Sequence, residues 1–240
     1  MTDSRARFAS VGRGNYDLVV AFFCGLLLIS NVGATKLIQF GPSLDRRGYP
    51  VLPIITDGGA FLFPLTYILG DVLAEVYGLA RARRAIVVGF ILAALMSVTF
   101  LAVTAAPPAD GWPNQEAWAA VLGFVPRIVV ASLLGYLAGQ FLNAHVLVAI
   151  KRRTAERGLW VRLIGSTVVG ELADTVVFCS IAFGAPGAFL GGPSIGLPEL
   201  LNYIVVGWVY KTLVEVVCLP LTYRVIAWVK RHEPGYAAAV

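Results

Sequence analysis

Asp71, Glu171, Asp174, Lys211 and Glu215 lie within stretches that are otherwise mostly apolar, each within about two helical turns of its stretch's midpoint. A charged side chain near mid-bilayer costs about 2.5–3.5 kcal/mol on insertion scales, so several in one small protein need pairing, a wet cavity or neutralisation. Their spacing gathers them into faces. Tyr67, Asp71 and Glu75 recur every four residues, as do Tyr203, Gly207, Lys211 and Glu215, and Thr167, Glu171 and Asp174 follow at i, i+4 and i+7. Ser132, Tyr136, Gln140 and Asn143 add a polar stripe with few charges. Ion pairs such as Lys211 with Glu215 or Asp71 would fix helix register, yet one central base leaves carboxylates over. A surplus carboxylate that takes up a proton becomes a neutral donor or a proton-coupling group. The economical packing turns these faces toward one shared site for a small polar solute.

Other polar residues have plainer explanations. Lys36 and Arg127 lie toward the outer ends of their stretches and are expected to snorkel to the headgroups. Glu75, three residues before Gly78, either joins the site or pairs with the basic cluster at Arg81, Arg83 and Arg84. His145 reads as an interfacial histidine. Neither a Ser-His pair nor a metal-ligand cluster occurs at catalytic spacing, so no enzyme, metal or cofactor is expected. Cys24, Cys179 and Cys218 are all within apolar segments and are expected to be small packing residues, not a disulfide framework. Gly135 and Gly139 form a GxxxG pair, which serves packing within a chain as readily as a homodimer and leaves the latter open.

The elements that must carry these faces follow from composition. Of the 240 residues 58% are hydrophobic and only 14% charged, against about 25% charged in soluble domains, so the solvent is lipid. Hydrocarbon about 30 Å thick needs roughly 20 apolar residues per helix. Spans are predicted at 16–38, 58–78, 85–105, 121–150, 160–184 and 199–228, an all-α bundle of six transmembrane helices. The expected organisation is a tail over 1–15, a transmembrane domain over 16–228 and a second tail over 229–240. Arg5, Arg7 and Arg13 before the apolar run near Leu18 resemble a signal peptide, but the run is long and lacks a small-residue cleavage site, so an uncleaved first helix is predicted.

The net charge of +5 does not point to nucleic acid, because the basic residues cluster in short loops beside the spans, where they set topology. With both termini cytoplasmic, that side holds the N-terminal arginines, Arg81 to Arg84, Lys151 to Arg162, Arg224, Lys230 and Arg231, leaving Arg46 and Arg47 outside. The outer segments 41–57, 106–117 and 185–198 carry Gly and Pro in numbers that predict turns. Pro64 sets the start of the second helix proper and leaves 57–63 extended or re-entrant; Pro126 offers the fourth a place to bend.

Specific strings go further than hydropathy. FPLTYILGDVLAEVYG at 63–78, followed by Ala82-Arg83-Arg84, closely resembles the signature of the queuosine precursor transporter family, also called the vitamin uptake transporter family. Ser30-Asn31 with Ala34 and Lys36, Pro126-Arg127-Ile128 with Ala131-Ser132 and Gly139-Gln140, and Gly165-Ser166-Thr167 with Asp174-Thr175 and Phe178 support it. Lys211, Glu215, Pro220 and Tyr223 continue it into the last span. Asn143 stands where many relatives are expected to carry Asp, and Glu171 where Gln is common.

The resemblance implies a multi-pass protein of the bacterial inner membrane that imports 7-cyano- and 7-aminomethyl-7-deazaguanine for tRNA queuosine salvage, with no energising partner. The residues suit a guanine-like edge. Glu171 or Asp174 would accept its two N–H groups, Gln140 and Asn31 would add hydrogen bonds, Lys211 would hold the other carboxylates, and Tyr67, Tyr77, Tyr203 or Trp208 would stack on the ring. Asn31, Tyr67, Asp71, Glu75, Gln140, Glu171, Asp174, Lys211 and Glu215 are therefore the expected substrate-binding set. The competing readings are a carrier or binding subunit for another small heterocycle or vitamin, which would need an energising partner, and a non-transporting membrane scaffold, in which the charges would all be mutually paired.

Overall fold

In chain order, a computed structural model of residues 14–46, 49–153, 159–184 and 194–234 gives α1 (Tyr16–Gly33), strands β1 (Leu37–Arg46) and β2 (Tyr49–Asp57), and a 3-10 turn (Gly58–Phe61). Then follow α2 (Phe63–Tyr77), α3 (Leu79–Ala105), α4 (Gln115–Leu122), α5 (Val125–Arg153), α6 (Leu159–Cys179) with a π turn (Ser180–Gly184), and α7 (Leu197–His232). Five helical segments are long and apolar enough to cross a membrane: Tyr16–Gly33, Leu79–Ala105, Gln115–Asn143, Gly165–Gly184 and Leu197–His232. This is a multi-pass helical membrane protein.

The second predicted span is the exception. Asp57 caps the 3-10 turn through the Gly59 amide at 2.7 Å, and α2 starts only at Phe63, with Pro64 in its first turn. Its 15 residues rise about 22 Å, short of the roughly 30 Å of hydrocarbon. The first span is also shorter than predicted. It stops at Gly33, because the backbone there meets Gly58 so closely that a Cβ on Gly33 would lie 3.2 Å from the Gly58 carbonyl. Lys36 consequently falls outside the helix and is exposed just before β1.

Residues 41–46 and 49–57, predicted as turns, belong to two antiparallel strands with Leu37 opposite Asp57 and Arg46 opposite Tyr49. Their prolines suggested otherwise. In a two-stranded sheet, however, each strand keeps one free edge, where a missing N–H costs no ladder bond. Gly41, at φ 91°, lies in the irregular stretch between Phe40 and Leu44 where the register shifts.

Contacts fix the direction of travel. The Ser30 hydroxyl near the end of α1 donates to the Gly59 carbonyl at 3.2 Å, whereas the ring of Tyr77, at the end of α2, packs 5.2 Å from that of Tyr16 at the start of α1. The 3-10 turn and α2 together therefore run back along α1. Glu233, just past α7, accepts from the Asn15 amide at 3.0 Å and from the Tyr77 hydroxyl at 2.8 Å, so the beginning of α1 and the end of α7 share one face of the bundle.

Two apolar clusters close the bundle's ends. Val72, Leu73, Ala85, Ile226 and Val229 pack near the face shared by Asn15 and Glu233. Ile128, Ala131, Ala182 and the ring series Phe124, Phe183, Tyr203 pack at the other, with neighbouring centroids 5.7 and 5.3 Å apart. Arg127 does not snorkel. It is 1% exposed, donates through Nε to the Ile181 carbonyl at 2.8 Å and lies over the Phe124 ring. The fourth predicted span is interrupted close to Pro126, as a break between two helices and not as a bend within one. The chain breaks at Gly123–Phe124, and the proline sits in the first turn of α5, where its lack of N–H is harmless.

The GxxxG pair is spent inside the chain. A Cβ on Gly139 would lie 2.9 Å from the Gly170 carbonyl oxygen and 3.0 Å from Asp174 Cβ, and one on Gly135 2.8 Å from an Asp174 carboxylate oxygen. Glycine here lets α5 and α6 cross backbone to backbone, which fixes Asp174. Gly139→Ala is expected to lower the thermal midpoint of the purified protein, in line with an overpacking cost of about 1–3 kcal/mol. An unchanged midpoint would mean the two helices yield without strain.

Candidate functional site

Between the two apolar clusters lies a cavity of about 600 Å³, within the range of small-molecule sites. Its walls come from α1, α2, α3, α5, α6 and α7, with Asp57, Gly59 and Ala60 from the end of β2 and the 3-10 turn. At one end it meets Tyr203 and Cys179; at the other it reaches Leu79 and Arg83, both exposed.

Of the expected substrate-binding residues, Asn31, Tyr67, Asp71, Gln140, Glu171, Asp174 and Lys211 line this cavity. Lys211 is the electrostatic centre. Its ammonium donates to the Asp174 carboxylate and stands 3.8 Å from Glu171 Oε2. Glu215, one turn further along α7, accepts instead from the Tyr67 hydroxyl. Asn31 is 4% exposed and already engaged, donating to the Leu27 carbonyl at 2.9 Å and accepting from the Ser132 hydroxyl at 3.0 Å. Glu75 lies outside the cavity. It is 59% exposed in its side chain and pairs with Lys230 at 2.7 Å, not with the Arg81 to Arg84 cluster.

The aromatic candidates divide in the same way. Tyr67 and Tyr203 line the cavity, but Tyr77 packs in the end cluster and Trp208 donates to the Val168 carbonyl at 3.0 Å, so neither is on the wall. Asp57 is a wall residue that helix periodicity could not reveal, since it ends a strand. Its carboxylate accepts from the Tyr203 hydroxyl and the Gly59 amide, joining the end of β2 to α7. The one local signal was Asp57-Gly58-Gly59 after the β-branched run Ile54-Ile55-Thr56.

Three buried side-chain oxygens of wall residues make no hydrogen bond among the described residues: Asn143 Oδ1, Thr175 Oγ1 and Glu171 Oε2, the last 3.8 Å from the Lys211 ammonium. Leaving a buried polar atom unpaired costs about 1–3 kcal/mol. Among the described residues no group of His, Cys, Asp and Glu is arranged to hold a metal ion. What the arrangement can do is take a small polar molecule out of water, within a lipid-facing helical shell, and hydrogen-bond it.

That combination is a polar cavity of small-molecule size inside a multi-pass helical membrane protein. The chain belongs to the vitamin uptake transporter family: residues 57–225 match the family model described as "Putative vitamin uptake transporter". The resemblance carried by 63–78 thus holds across most of the chain. It is 38% identical over 128 residues to the "Probable queuosine precursor transporter" of Bacillus subtilis (strain 168), which covers 52% of this chain and 55% of that one. It is 30% identical over 177 residues to the "Queuosine precursor transporter" of Escherichia coli (strain K12), covering 73% and 75%. A third relative, from Haemophilus influenzae, is 30% identical over 125 residues, 52% of this chain and 51% of its own, and is named "Probable queuosine precursor transporter". The chain therefore matches about half the length of the Bacillus and Haemophilus proteins and three quarters of the E. coli one. No solved structure matches it.

Proposed function

We propose that this protein imports queuosine precursors, 7-cyano- and 7-aminomethyl-7-deazaguanine, across the bacterial inner membrane. The observation that carries this reading is the acceptor-rich wall around Lys211, in a cavity of small-molecule size, in a chain whose relatives are named queuosine precursor transporter or probable queuosine precursor transporter. A deazaguanine presents N1–H and an exocyclic amine on one edge, and a carboxylate accepts both at once. Glu171 takes that role here, because Asp174 is committed to the Lys211 ammonium. Lys211 holds Glu171 in place, Tyr67 offers a ring face, and Gln140 and Asp71 stand on the surrounding wall.

The chain is proposed to cross the membrane six times, α2 with its 3-10 turn making the second pass, and both termini are assigned to the cytoplasm. The tails at 1–15 and 229–240 then flank a single transporting domain. What supports this orientation is that the Tyr16 hydroxyl donates to the Arg81 carbonyl and that Lys230 and Arg231 come just before Glu233, which puts basic residues beside the face shared by Asn15 and Glu233. No energising partner is invoked.

The test is uptake of deazapurines and purines by cells that cannot make queuosine precursors, read as queuosine in their tRNA. Expression of this chain is expected to restore the modification when either deazaguanine is supplied. If neither does, while another heterocycle accumulates, the transporter reading stands and the solute is wrong. Proteoliposomes containing this chain alone are expected to take up the same solute; uptake that required a second protein would remove the partner-free part of the proposal.

A further inference from the structure

Glu171 and Thr175 are four residues apart on α6, so they share a face, and Asn143 sits beside them. A Cβ added to Gly170 would come within 2.8 Å of Asn143 Cβ, which pins Asn143 next to Glu171 across the α5–α6 crossing. Thr175 is 2% exposed, and its methyl is set toward Gly207 on α7, 3.3 Å from where a Cβ there would lie. All three residues line the cavity, and their buried oxygens that lack a hydrogen bond among the described residues are alike in kind. Asn143 Oδ1 and an ionised Glu171 only accept hydrogen bonds, and a threonine hydroxyl readily does so. Among the described residues none of these three oxygens receives a hydrogen bond: Lys211 donates to Asp174 and stands 3.8 Å from Glu171 Oε2, and Asn31 is shared between Ser132 and Leu27.

We propose that Asn143, Glu171 and Thr175 form an acceptor row on the α5–α6 wall that binds successive N–H donors of the solute, with Thr175 as a specificity-determining residue. The cavity then selects a heterocycle with a donor-rich edge and rejects the analogue that lacks the exocyclic amine. This rests on the deazaguanine reading and extends it to residues outside the mid-depth charged set. A site whose buried acceptors wait for donors loses most when the donor is missing, because the acceptor then stays both desolvated and unpaired.

The experiment uses the full chain purified in detergent, with 7-aminomethyl-7-deazaguanine and its 2-deamino analogue as ligands. Wild type is expected to prefer the amino compound by at least about tenfold. Thr175→Val is expected to bind it about tenfold more weakly and to discriminate less between the two compounds, while Thr175→Ser binds like wild type. Without ligand, the Val variant should unfold at a temperature no lower than wild type, since the hydroxyl it loses makes no hydrogen bond among the described residues. Unchanged affinity in Thr175→Val would overturn the proposal while leaving the deazaguanine reading intact. Lost uptake with unchanged affinity would also overturn it, placing the hydroxyl's partner in another conformation of the transport cycle. If wild type binds neither compound, the underlying reading fails and takes this inference with it.

Discussion

Lys211→Met is expected to abolish uptake and to lower the stability of the protein. Lys211 is the cation that meets both Asp174 and Glu171, so its removal leaves two carboxylates in a low-dielectric interior with no ammonium between them. Breaking a buried ion pair by deleting one partner costs about 3–5 kcal/mol, far more than the pair adds over a well-packed apolar pair, because the surviving charge is stranded. The double variant Lys211→Met/Asp174→Asn removes one charge of each sign. It should recover much of the lost thermal stability, giving a strong coupling energy in a double-mutant cycle. Uptake should not recover, since Glu171 has lost the charge that orients it. A double variant that transports normally would reduce the Lys211 cluster to a device for fixing helix register. Lys211→Arg is not a silent change, because a planar guanidinium does not fit the place of a compact ammonium between two close carboxylates.

Glu171→Gln has the second largest expected effect, and it separates recognition from folding. The side chain keeps its shape, and Lys211 keeps Asp174 as its partner, so the variant should reach the membrane at normal levels with a near-normal thermal midpoint. What it loses is an acceptor pair. One carboxylate oxygen becomes an NH2 that faces the N–H donors of the proposed solute instead of accepting from them. A lost hydrogen bond to a charged group together with an unpaired donor is worth about 1.5–3 kcal/mol, or roughly tenfold to a hundredfold in affinity. Concentration-dependent uptake in vesicles should show this mainly as a rise in the concentration giving half-maximal rate. Asp174→Asn should instead cost both stability and transport, because Asp174 is wedged against Gly135 and Gly139 and bound to Lys211. Full uptake by both single variants, at normal protein levels, would remove these carboxylates from the site.

The contrast between Glu75 and Glu171 shows how depth in the sequence became position in the fold. Both are carboxylates on otherwise apolar helices. Glu75 is close enough to the end of α2 to reach Lys230 at the surface, whereas Glu171 is two turns short of the π turn that ends α6 and has only Lys211 to face. A count of residues to the helix end was sufficient to rank them. The same count misplaced Arg127, because nearness to a helix end permits snorkelling but does not require it when a carbonyl and an aromatic ring are offered within the protein.

Mid-bilayer charge, helical periodicity and the run of basic loops were legible in the amino-acid order alone, because each follows from local composition and from the cost of placing a charge in hydrocarbon. They were enough for a multi-pass helical protein with one polar interior, and the string at 63–78 was enough for its family. Partner choice was not legible. Lys211 has Glu215 one turn away on its own helix, yet it binds Asp174 on α6, and Glu215 takes the Tyr67 hydroxyl. Neither could be read from spacing, since spacing along a helix fixes which face a side chain occupies but not which neighbouring helix is brought against it. That was decided by the glycines of α5 and α6, whose close crossing sets Asp174 within reach of Lys211, and by the meeting of Gly33 with Gly58, which ends α1 early and brings Asp57 to the cavity wall.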